Sequence, residues 1–312
     1  MVAIGTWNLE NLFRPGTAAG PRTTEAYEAK LRTLAGTIGD LAPDVLAVQE
    51  VGQPEALGDL VERLDGAWHT ELAEPDSRGI RVGFVSRLRL SAPRQVSKYP
   101  DPLPAVRVDD DGDTTDRMGR PALHCTVSTG DHDVELVCCH FKSKLLSFPG
   151  GRFSPEDEDE RARYAVYALG RRAAEAATVR AYATALLDGD GRRRRLVVLG
   201  DLNDDPSSAT TTLLNGPPGS EFGTAGFNRP DRGDGDRLWN LAPLIEDVSR
   251  FSRVYQGRRE LIDHVLVSNA LVGSIGTVTT GGGIPGSVGD DPAARRDKPG
   301  SDHRPVMVVI DD

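Results

Sequence analysis

The chain is short of cysteine, of long apolar runs and of positive charge. Cysteine occurs three times in 312 residues, at Cys125, Cys138 and Cys139. An odd number without C-x-x-C spacing argues against a disulfide framework and against structural zinc. Cys138 and Cys139 lie in the alternating apolar run VELVCCHF, which reads as a strand with buried free thiols in a reducing compartment. No apolar stretch approaches the roughly 20 residues of a membrane-spanning helix. The opening MVAIGTWNLE has neither the basic nor the apolar region of a secretory signal, so the expected location is cytoplasmic. With 37 Lys+Arg against 47 Asp+Glu the net charge is −10. That weighs against coating nucleic acid through a broad basic surface. It leaves room for an enzyme in which a bound cation and a few Arg or Lys carry phosphate contacts.

Several catalytic signatures are missing too. There is no H-E-x-x-H, no G-x-S-x-G, no Walker loop and no paired G-x-G-x-x-G. Zinc proteolysis, α/β-hydrolase chemistry and nucleotide-loop chemistry therefore have no support. What is present is a soluble globular composition, 38% hydrophobic and 27% charged. No internal repeat or composition change marks a boundary, which predicts a single domain over 1–312.

Apolar and β-branched content predicts strands at 2–7, 45–49, 80–86, 122–128, 133–139, 196–200, 262–268 and 305–310. Residues 24–41 carry Tyr27, Leu31, Leu34, Ile38 and Leu41 at helical spacing, and an Ala/Arg/Glu-rich stretch at 156–188 predicts a long helix. Shorter helices are expected at 54–65 and 207–215, and Gly/Pro-rich loops at 100–119, 142–155, 216–237 and 281–300. Many strands with few helices predict packed sheets with helices outside them.

The polar residues worth most attention fall at the strand ends. Asn8 and Glu10 follow the first strand, Glu50 the second, His140 the fifth, and Asp201 and Asn203 the sixth; Asp263 and His264 lie in LIDHVLVS, and Asp302 and His303 precede the last strand. Hard oxygen donors with a few histidines suit Mg²⁺, Mn²⁺ or Ca²⁺ better than zinc. A cation held this way would bind and polarise something anionic, and a phosphate ester is the natural candidate.

The ordered set TWNLENLF, PDVLAVQEV, HFKSK, VVLGDLNDDP, LIDHVLVS and SDHRPV resembles the endonuclease/exonuclease/phosphatase superfamily, and the likeness spans residues 4 to 310. It implies a DNase I-like fold: a four-layer α/β sandwich of two packed, mostly antiparallel sheets flanked by helices. It implies hydrolysis of phosphate esters with Mg²⁺ or Mn²⁺, and Ca²⁺ as a third candidate. By the same resemblance Glu50 anchors the metal, with Asn8, Glu10 and Asp302 in support. Asp201 orients or deprotonates the attacking water and Asn203 assists it. His303, held by Asp263, contacts the phosphoryl group, and His140 is the second active-site histidine. Arg120, in GRPAL, and Lys142 contact phosphate. In one departure, relatives carry a Tyr, sometimes with a Glu, just before the strand matching 82–86. Here that stretch is DSRGIRV, which leaves His140 without a carboxylate partner.

The implied activity is that of a phosphodiesterase or nuclease on DNA or RNA. The alternatives are a phosphatase for a nucleotide, lipid headgroup or other small molecule, and an inactive binding module. No membrane and no obligate protein partner is indicated. Other features carry a structural expectation. His264 faces away from Asp263, GRRRR (191–195) is a solvated helix–strand connection, EDEDER (156–161) starts a helix, and Asp204 and Asp205 form the turn into Pro206. His69, His124 and His132 receive no role.

Overall fold

The computed structural model describes residues 1–130, 132–291 and 293–311; Pro292, within the expected 281–300 loop, lies outside them. In chain order the elements are β1 (Val2–Leu12), α1 (Thr24–Leu41), β2 (Val45–Val51), α2 (Pro54–Val61), β3 (His69–Leu72), β4 (Arg81–Ser86), β5 (Leu90–Lys98), β6 (Val106–Arg107), β7 (Thr114–Thr115), β8 (Arg117–Ser128), β9 (Asp133–His140), α3 (Glu158–Leu187), β10 (Leu196–Asp201), α4 (Ala209–Asn215), β11 (Leu238–Asn240), β12 (Arg253–Tyr255), β13 (Arg258–Glu260), β14 (Asp263–Ser268), α5 (Asn269–Val272), β15 (Ile275–Thr280) and β16 (Val306–Ile310). One six-stranded sheet runs β15-β16-β1-β2-β4-β3 and the other β11-β14-β10-β9-β8-β5. Each is antiparallel except at one parallel pair, β1 with β2 and β9 with β10.

Three apolar clusters define four layers. Between the sheets, Ile4, Val45, Ala47 and Phe84 meet Leu123, Leu136, Val197, Leu199 and Val265. Outside the first sheet, Tyr27, Leu31, Leu34 and Ile38 of α1 cover Leu46 and Val48. Outside the second, Ala176, Val179, Ala183 and Leu187 of α3 cover Val137, Cys139 and Val198. The helix starts are capped as their sequences predict: Thr23 accepts from the Ala26 amide before α1, and Asp157 from the Glu160 amide before α3. All three cysteines are buried and free.

Strand polarity aims the polar residues. Val2 and Ile4 of β1 face the inter-sheet core and Trp7 and Leu9 face the helices, so Asn8 shares the inward parity. By the same alternation Leu136 and Cys138 place His140 inward, Val197 and Leu199 place Asp201 inward, and Val265 and Val267 place Asp263 inward. One end of the inter-sheet core is therefore polar where the rest is apolar.

Several boundaries differ from expectation. β1 and β2 do not stop at 7 and 49; they continue to Leu12 and Val51. Asn8, Glu10 and Glu50 thus lie within strands rather than beyond them. The reason is local: Glu10 (φ 51°), Asn11 (φ 52°) and Glu50 (φ 59°) take left-handed backbone, and the β1–β2 register shifts between Asn8 and Leu12. After the irregularity Leu12 packs with the helices although its parity opposes that of Trp7 and Leu9. The second helix ends at Val61 rather than 65, and the expected 100–119 loop holds the β6–β7 ribbon and the start of β8.

Candidate active site

The inward-facing polar residues converge on Asp201, which is 2% exposed. Asn8 bridges two carboxylates: its Nδ2 donates to Asp201 Oδ2 at 3.0 Å and to Glu50 Oε1 at 3.1 Å. Glu50 Oε2 accepts from the Asn11 amide at 3.0 Å, which the left-handed backbone of β1 makes reachable. His140 Nε2 lies 3.5 Å and His303 Nε2 4.0 Å from Asp201 Oδ2. His303 Nδ1 is 2.6 Å from Asp263 Oδ2. Asp201 Oδ1 accepts from the Asn203 amide at 2.9 Å, Asn203 (φ 54°) turns the chain, and its Nδ2 donates to the Phe141 carbonyl at 3.0 Å.

Burial sets the proton inventory. It raises the Asp201 carboxyl above the usual carboxylate range, and the neighbouring Asp263 charge adds to this while His303 opposes it. Burial disfavours the charged form of His303, but the Asp263 carboxylate bonded to it, with Asp302 and Asp201 nearby, outweighs that and lifts it to about 10. His140 is driven the other way, well below its ordinary value, by burial and by Arg120. Its Nδ1 is buried without a hydrogen-bond partner among the described residues. The two imidazoles are therefore pushed in opposite directions, His303 up and His140 down, beside a carboxyl of raised pKa. Such divergence is suited to moving protons near neutrality.

The other expected residues are placed less uniformly. Glu10 is held by Arg295, whose Nε and Nη2 donate to its two oxygens at 2.7 and 3.1 Å. Asp302 Oδ2 lies 3.6 Å from Arg253 Nε and its Oδ1 4.0 Å from His303 Nε2. Arg120 is buried; Nη1 donates to Asp76 Oδ2 at 3.1 Å, and Nε and Nη2 to the His140 and Phe141 carbonyls at 3.3 and 3.2 Å. Lys142 Nζ donates to the Ser143 and Leu145 carbonyls at 3.1 and 2.8 Å. His264 faces away, as its parity requires, and joins Asn240 to the Asp204 carbonyl. His124 serves the fold between Glu135 and Tyr182.

Two contributors escaped the sequence reading. Arg295 sits in a polar loop with no local signal. Lys30 had one: it follows Tyr27 by three and precedes Leu34 by four, on the apolar face of α1. It is 3% exposed and donates to the Gly300 carbonyl at 3.0 Å.

A divalent cation fits this donor set. Ligand atoms of Asp201, Asp263 and His303 lie within 4.8 Å of one another, and Asp263 Oδ1 is buried without a hydrogen-bond partner among the described residues. Buried carboxylates left so close together call for a counter-charge.

Solved structures share the fold. TDP2 from Caenorhabditis elegans shares the fold at a TM-score of 0.58 and 12% identity, over 100% of this chain and 75% of that one. A 3'-5' exonuclease (NExo) from Neisseria meningitidis gives 0.54 and 19%, over 99% and 100%. The mannosyl-6-phosphatase Bt3783 of Bacteroides thetaiotaomicron gives 0.59 and 14%, over 99% of each chain. No curated protein matches by sequence. The family model for the Endonuclease/Exonuclease/phosphatase family matches residues 5–303, a span that takes in every strand end described above, and the chain belongs to that family of phosphoesterase hydrolases.

Proposed function

We propose that this phosphoesterase is a divalent-metal-dependent phosphodiesterase of the nuclease type, with one catalytic domain over 1–312, that cleaves by in-line attack of a water activated by Asp201. The observation that supports it best is the setting of Asp201: a carboxyl of raised pKa, 2% exposed, hydrogen-bonded by Asn8 and with His140 and His303 Nε2 at 3.5 and 4.0 Å from its Oδ2.

In this reading Asp201 takes the proton of the attacking water and Asn203 steadies that water. His303 carries positive charge to the non-bridging oxygens of the phosphate, and Asp263 fixes its ring through Nδ1. His140, disfavoured as a cation by its burial, offers its Nε2 towards Asp201. Glu50 and Asp302, with the carboxylates of Asp201 and Asp263, are the residues that would hold the cation; Asn8 orients Glu50. Mg²⁺ or Mn²⁺ bound there supplies Lewis-acid polarisation of the phosphate and relief of charge on the departing oxygen. Glu10, paired with Arg295, supports the rim of the site.

The test is a substrate panel with Mg²⁺, Mn²⁺ or Ca²⁺: plasmid, single-stranded DNA, RNA, bis-p-nitrophenyl phosphate and common phosphomonoesters, with Asp201→Ala in parallel. The expected result is diester hydrolysis that falls by about 10²–10⁴-fold in the variant. Turnover of monoesters alone would replace the diesterase reading with a phosphatase. Undiminished turnover by Asp201→Ala would reject the mechanism.

A further inference from the structure

The carboxylates around the centre divide into two groups. Glu50, Asp201 and Asp263 form no ion pair with Lys or Arg among the described residues; what faces Asp201 and Asp263 is the ring nitrogens of His140 and His303. Glu10 is the opposite case. Arg295 Nε and Nη2 donate to its Oε1 and Oε2 at 2.7 and 3.1 Å, and the two side chains are 18% and 12% exposed. One planar fork thus engages both carboxylate oxygens, a strong and geometrically specific pairing.

The pair is fixed at both ends. The Glu10 amide donates to Asn8 Oδ1 at 2.9 Å, and Nδ2 of the same Asn8 side chain donates to Asp201 and Glu50. Glu10 therefore stands one residue's hydrogen bonds away from the centre. Arg295 comes from a pinned segment. Arg296 Nη2 donates to the Thr17 carbonyl at 2.7 Å, Asp297 Oδ1 accepts from the Arg22 amide at 2.7 Å, and the Gly300 carbonyl accepts from buried Lys30 at 3.0 Å. These bonds tie the segment to the loop after β1 and to α1, so the fold itself brings the guanidinium to Glu10.

The sequence resemblance puts Glu10 in support of a metal; the structure gives it to an arginine. A buried carboxylate needs a counter-charge, which a metal ion or a protein cation can supply. Arg keeps its charge at all working pH values, so its guanidinium repels a divalent ion brought to the same carboxylate. We propose that Arg295 fills the place a second metal ion would take at Glu10, and that the site accordingly holds one divalent cation, among Glu50, Asp201, Asp263 and Asp302, with Glu10 outside its ligands. The inference rests on the metal-dependent reading of the site.

The test counts ions and needs no turnover. Wild-type protein, stripped with EDTA and dialysed, is titrated with Mn²⁺ by isothermal calorimetry, and free Mn²⁺ is followed by electron paramagnetic resonance. The expected result is one Mn²⁺ bound per chain. Arg295→Ala, which leaves Glu10 uncovered, should bind a second, and adding Glu10→Gln to that variant should return the count to one. Two ions on the wild type, one on Arg295→Ala, or a second ion that survives Glu10→Gln overturns the inference. The wild-type count decides the matter even where the Arg295 variants fail to fold. A wild type that binds no Mn²⁺ rejects the metal-dependent reading itself, whereas one that binds two rejects the inference and leaves that reading in place.

Discussion

Asp201 and Asp204 stand three residues apart and titrate in opposite directions. Burial raises both, but Asp201 has two amide donors, from Asn8 and Asn203, and an acidic neighbour, whereas Asp204 also has hydroxyl and guanidinium donors. Ser208 Oγ and Thr210 Oγ1 donate to it at 2.8 and 2.7 Å and Arg172 Nε at 3.1 Å. Against its burial these bonds hold the Asp204 carboxyl at about 2, below its ordinary 3.8. A carboxylate depressed in the folded state stabilises it above the unfolded pKa and loses that contribution as pH falls through the folded one. The window therefore runs from about pH 4 to pH 2, and the contribution is on the order of 2 kcal/mol. Asp204→Asn should be less stable by roughly that amount at pH 7 and should show a flatter fall between pH 4 and 2 in urea titrations. An acid limb identical to wild type would remove Asp204 from this role. The expected turn of Asp204 and Asp205 into Pro206 is a turn in the structure, and Asp204 is the residue that ties it to α3 and α4.

Among elements, β10 shows how closely the two strands behind the site approach. A Cβ on Gly200 (φ 147°) would lie 1.9 Å from the Cys139 carbonyl oxygen, so only glycine lets β10 and β9 deliver Asp201 and His140 side by side. Gly200→Ala should cost at least the 1–3 kcal/mol or so typical of a strained backbone position. It should appear as a lower Tm in calorimetry; an unaltered Tm would mean the strands can part freely. The eight strands read from the sequence are the interior strands of the two sheets. The four unread edge strands, β3, β5, β11 and β15, are the edges of those sheets. Edge strands bury fewer side chains and tolerate polar residues and proline, as β5 does with Pro93, so their apolar signal is weak. The left-handed residues at Glu10, Asn11, Glu50 and Asn203 had no signal either. Such conformations arise where surrounding contacts over-determine the backbone, and here they gather at the candidate site.

At the scale of the whole molecule, the site is the polar end of the core between the two sheets. Asn8 and Glu50 come from one sheet and His140, Asp201 and Asp263 from the other, so their approach depends on how the sheets pack. Asp201 and Asp263 are both almost fully buried, and a bound divalent cation would relieve their repulsion. Mg²⁺ or Mn²⁺ should therefore raise Tm in a concentration-dependent way, by an amount equivalent to about 2.7 kcal/mol when the ion is at 100 times its Kd. EDTA should abolish hydrolysis reversibly. The absence of any thermal shift with Mg²⁺, Mn²⁺ or Ca²⁺ would remove the cation from the mechanism.

Strand parity is a local property, so once the apolar residues of a strand are seated in the core it decides which others face inward: Asn8, His140, Asp201 and Asp263 all continue the inward rows of their strands. Order along the chain likewise determined the family. Only the tertiary structure decided the partners. The spacing of side chains on separate sheets is set by packing across the core, not by any local pattern. It therefore took the fold to join Asn8 to both Glu50 and Asp201, to commit Arg120 to Asp76 and two carbonyls, and to cover Glu10 with Arg295.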